Sequence, residues 1–132
     1  EIYLDRYVKQ IATEGSVCLN LAEQQVLSAA YRHQGELART AAAMHQIDLA
    51  PHVGQLNKAT ALVRTLEQAV ETLRTALDGR TERAALPEQA RDCRDSILPA
   101  MGAVRAAADA IEVSVSDDLW LLPAYREILF IK

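Results

Sequence analysis

Residues 56–77 read Leu56-Asn57-Lys58-Ala59-Thr60-Ala61-Leu62-Val63-Arg64-Thr65-Leu66-Glu67-Gln68-Ala69-Val70-Glu71-Thr72-Leu73-Arg74-Thr75-Ala76-Leu77. Leu56, Ala59, Val63, Leu66, Val70, Leu73 and Leu77 follow one another at alternating spacings of three and four. That alternation sets them on one stripe of an α-helix and makes a heptad seam. Such a seam is more often the core of a bundle than an exposed coiled-coil face. Pro51 suits the first helical position, so this helix is expected to open there. Asp78-Gly79 closes it, with Gly79 expected as a left-handed cap.

The flanks repeat the pattern. Upstream, from Glu1 to about Gln46, no proline occurs. Leu4, Val8, Ile11, Cys18, Leu21 (or Ala22), Val26, Ala29 and Leu37 trace a helix face about 45 residues long, or about 65–70 Å. Gly15 and Gly35 weaken it locally and allow a bend. It exceeds the other two helices by roughly 15 residues, so one end is expected to project. Downstream, Pro87 opens a third helix whose seam is Ala90, Cys93, Ile97, Ala100, Val104, Ala107, Ile111 and Ser114. Pro99 interrupts its hydrogen-bond ladder and predicts a kink. Ala100, Gly102, Ala103, Ala106, Ala107 and Ala108 are small enough for close helix approach. The expected fold is all-α: an antiparallel bundle of three long helices with a short C-terminal docking helix, forming one domain over residues 1–132.

Composition agrees. Ala (23) and Leu (17) fill 40 of 132 positions against 5 Gly and 4 Pro, which favours long helices. Half of the residues are apolar, which excludes a disordered chain. The formal net charge is −4, a poor basis for nucleic-acid binding. No apolar run reaches the roughly 18–20 residues that span a bilayer, and no leader pattern is visible. Neither nucleic acid nor membrane is expected as a partner. Two distant cysteines, Cys18 and Cys93, are no disulfide framework. They fit a reducing cytoplasm and the role of small buried hydrophobes. There is no Met at the start and no N-cap before Ile2-Tyr3-Leu4, so the chain is expected to be cut from a longer one.

Chemistry is scarce. His33, His45 and His52 are the only histidines, and a metal site needs three or four convergent ligands. Glu67, Glu71 and Asp78 alternate with Thr and Arg as a solvated face does. Arg80, Arg83, Arg91 and Arg94 are offset by Asp78, Glu82, Glu88, Asp92 and Asp95. No glycine-rich phosphate loop and no nucleophile elbow is present. The expectation is no catalytic, cofactor-binding or metal residue in this chain. Between Arg32 and Leu119 there is no aromatic residue. The last segment, Leu119–Lys132, is instead dense in large apolar side chains. Trp120, Leu121, Leu122, Tyr125, Ile128 and Phe130 are its expected docking residues, against the bundle or another chain.

Three stretches carry a family resemblance. Arg6-Tyr7-Val8-Lys9-Gln10-Ile11-Ala12-Thr13-Glu14 resembles the opening of the C-terminal helical region of type III glutamine synthetases. Leu27-Ser28-Ala29-Ala30 followed by Gln34 resembles that family's next signature. Leu119-Trp120 through Pro123, then Tyr125-Arg126-Glu127-Ile128-Leu129-Phe130 and Lys132, resembles its extreme C-terminus. The family usually has proline at the positions of Ser28 and Leu121, and an aromatic near His33. Ser28 is expected to leave the first helix straighter than its relatives. The resemblance implies a parent enzyme that joins ammonia to glutamate with ATP and Mg, as a large ring-shaped oligomer. Its metal and nucleotide ligands would lie in an upstream catalytic domain. This chain would be a structural appendage whose partners are that catalytic domain and neighbouring subunits. A free-standing helical interaction module is the alternative.

Overall fold

The computed structural model describes residues 2–51, 53–80 and 84–118, without the side chains of 117 and 118. Among the described residues every regular element is helical. The elements are α1 (Ile2–Leu21), α2 (Leu27–Gln46), α3 (Val53–Asp78), α4 (Leu86–Asp92) and α5 (Leu98–Asp118). Two π-helical turns, Ala22–Val26 and Cys93–Ile97, join α1 to α2 and α4 to α5 without a break. Three continuous rods result, covering residues 2–46, 53–78 and 86–118.

Cross-contacts order the rods. Glu23 meets Arg74, Tyr31 meets Glu67, and Gln34 meets Thr60, so numbering falls along α3 as it rises along the first rod. Cys18 and Ala22 face Val104 and Arg105, while Ala30 and His33 face Ile111 and Val115. The third rod therefore climbs in step with the first. Its last described residue, Asp118, lies about one turn beyond the level of His33.

The core is an aliphatic seam. Leu66, Leu73, Cys93 and Ile97 have no exposed surface, and Met101 has 1%. Val63, Val70, Val104, Ala107 and Ile111 extend it. The heptad reading of α3 holds from Ala59 to Leu73, with Leu56 and Leu77 half-buried. The third-rod seam holds from Cys93 to Ser114, all buried.

Other expectations are corrected. α3 opens at Val53, two residues after Pro51. Pro87 is the second residue of α4. Gly79 is not left-handed, since no described glycine has positive φ; its N–H continues the ladder onto Thr75 O at 2.8 Å. The left-handed cap falls on Asp48 (φ 61°) after α2. Neither Gly15 nor Gly35 disturbs the α-helical pattern of the first rod; the continuous helix departs from it only at the π turn Ala22–Val26. That turn also shifts the buried face by one residue. Leu27 and Ala30 are buried, and the expected Ala29 is exposed. A π turn carries its carbonyl bond to the fifth residue instead of the fourth, which a fixed three-four count does not anticipate. Ala100 and Ala107 are buried on the seam, whereas Gly102, Ala103 and Ala106 face outward, and Gly15 makes a further close approach. A Cβ there would stand 2.9 Å from Leu77 Cδ2 and 3.2 Å from Ile97 Cγ2.

Candidate functional site

All six expected docking residues, Trp120, Leu121, Leu122, Tyr125, Ile128 and Phe130, lie outside the described residues. The described surface that a docking segment could meet is built by the rods. Between α1 and α5 runs an open groove of about 390 Å³, floored by Cys18, Ala22, Val26 and Val104. Val17 and Leu21 stand half-exposed along it, and Glu14 and Arg105 form its charged rim. Between α3 and the second π turn, running on to the start of α5, lies a more polar depression of about 590 Å³ lined by Glu71, Thr72, Asp95 and Ser96. At the α2–α3 corner, Ile47, Leu49 and Val53 are each at least half exposed.

The titratable side chains act locally. Arg74 bridges Glu23 of the first π turn, at 2.7 Å, and Glu71 of α3. Tyr31 donates its hydroxyl to Glu67 at 2.5 Å, and that bond holds the phenol above its ordinary range. Glu67 and Glu71 are thus engaged with Tyr31 and Arg74 on the surface of the rods. Arg94 holds the Asp95 carboxyl below its usual range. Burial pushes the thiols of Cys18 and Cys93 up, with Arg105 pulling weakly the other way at Cys18. A raised thiol is a poor nucleophile, so both cysteines behave as apolar packing groups. Gln89, buried on α4, donates to Ala84 O at 2.7 Å and ties the turn to the helix. Among the described residues, no three His, Cys, Asp or Glu side chains converge as metal ligands. No described helix is long and apolar enough to cross a membrane. His52 and Arg83 fall outside the described residues.

Comparison with known proteins agrees with the motifs at both ends of the chain. Residues 1–45 match the family model of the glutamine synthetase C-terminal domain. The whole chain aligns with the type-3 glutamine synthetase of Dictyostelium discoideum at 28% identity over 143 residues. The chain resembles the C-terminal part of type-3 glutamine synthetases. It also aligns end to end with a glutamine synthetase of Bacteroides fragilis (strain YCH46), at 23% identity over 140 residues. In both cases the chain spans only 19% of the relative's length. No solved structure matches. The matched residues 1–45 cover α1, the first π turn and nearly all of α2, including Arg6–Glu14 and Leu27–Ala30.

Proposed function

We propose that this chain is a structural, non-catalytic C-terminal domain of a glutamine synthetase-like enzyme. The parent would ligate ammonia to glutamate with ATP and Mg in the cytoplasm. The domain would be an antiparallel bundle of three long helices, finished by a short docking helix that carries Trp120, Leu121, Leu122, Tyr125, Ile128 and Phe130. Its partners would be the catalytic domain and neighbouring subunits, and its work would be bracing and assembly. The observation that carries this reading is the end-to-end alignment with 19% of two synthetases. The described side chains are consistent with it: their polar contacts cross-link rods and converge on no common point.

The test is deletion of Leu119–Lys132 from the full-length synthetase. The expected result is a smaller assembly by sedimentation or a lower melting temperature. Unchanged mass and unchanged melting would refute a docking role. Incubating the 132-residue chain with ATP, glutamate, ammonia and Mg tests the non-catalytic part, since any glutamine formed contradicts it.

A further inference from the structure

We draw no further inference here: the strongest candidate, the aliphatic groove between α1 and α5 with Val17 and Leu21 half-exposed along it, is an unpartnered apolar face, and nothing in the structure shows what covers it.

Discussion

Asp48 is the only described non-glycine residue with positive φ, at 61°. Its N–H reaches His45 O at 3.2 Å, and the Leu49 N–H reaches Met44 O at 2.8 Å. These are the paired bonds of a Schellman cap, with Asp48 at the left-handed position that glycine prefers. A side chain there carries a steric cost, and a carboxylate adds repulsion from the negative end of the helix dipole. Asp48→Gly is therefore expected to stabilise the chain by about 1 kcal/mol, read as a rise in the urea midpoint at constant slope. Glycines inside the rods divide by surroundings. Nothing lies within 4 Å of a Cβ built on Gly102, whereas one on Gly15 meets Leu77 and Ile97. Gly102→Ala should stabilise by about 0.5–1 kcal/mol through helix propensity. Gly15→Ala should forfeit that gain because Leu77 must move, and Gly15→Val should cost about 1–3 kcal/mol by overpacking. Equal midpoints for the two alanine variants would show that Gly15 is not a packing position.

The two π turns are the elements that a periodicity count does not reveal, and they are alike. Leu27 donates to Ala22 O and Leu98 to Cys93 O, each across five residues. Leu27 has φ −62°, ψ −40°, and Leu98 has φ −60°, ψ −46°. The next residue is Pro99 in one rod and exposed Ser28 in the other. The expected kink at Pro99 thus takes the form of a widened turn directly before it, which accommodates a residue lacking an N–H. The first rod has the same widening ahead of a serine. Ser28→Pro should then cost less than about 1 kcal/mol, while Ala42→Pro in regular α2 should cost about 3 kcal/mol or more. Comparable losses in melting temperature for the two would refute the equivalence. This is also where sequence legibility ended. The α3 and α5 seams were readable because one period governs each of them from end to end. In the upper half of the first rod the three-four count points to Ala29 where Ala30 is buried, because an i to i+5 turn leaves no compositional mark. The left-handed cap is not marked by a glycine, because Asp48 tolerates the left-handed region that Gly79 does not use. The surfaces around α1 and α5 were not legible at all, since grooves depend on how rods of unequal length are stacked.

Across the whole molecule, a thin aliphatic seam is shared by all three rods, and polar bridges cross-link only its surface. Arg74 spans Glu23 and Glu71 at the surface, where water screens ion pairs and leaves them little net effect. Leu66 and Leu73 are wholly enclosed. Leu66→Ala or Leu73→Ala should cost about 2–5 kcal/mol, a large part of a typical domain's stability, whereas Arg74→Ala should leave the urea midpoint nearly unchanged. The pH dependence follows from the same division between core and surface. Tyr31 is the cross-link that titrates in alkali, and its folded-state pKa is raised by the bond to Glu67. A raised folded pKa means that the native state holds the proton more tightly than the unfolded chain. The contribution of the Tyr31–Glu67 bond is thus fully present below the ordinary tyrosine pKa near 10, and it is lost as pH climbs through the raised value. Because the pair is exposed, the loss should be a fraction of a kcal/mol. Stability measured by urea at neutral pH and again above pH 10 should fall more for the unaltered chain than for Tyr31→Phe, which has no phenol proton to lose. Parallel curves for the two would show that this bond does not join α2 to α3 in solution.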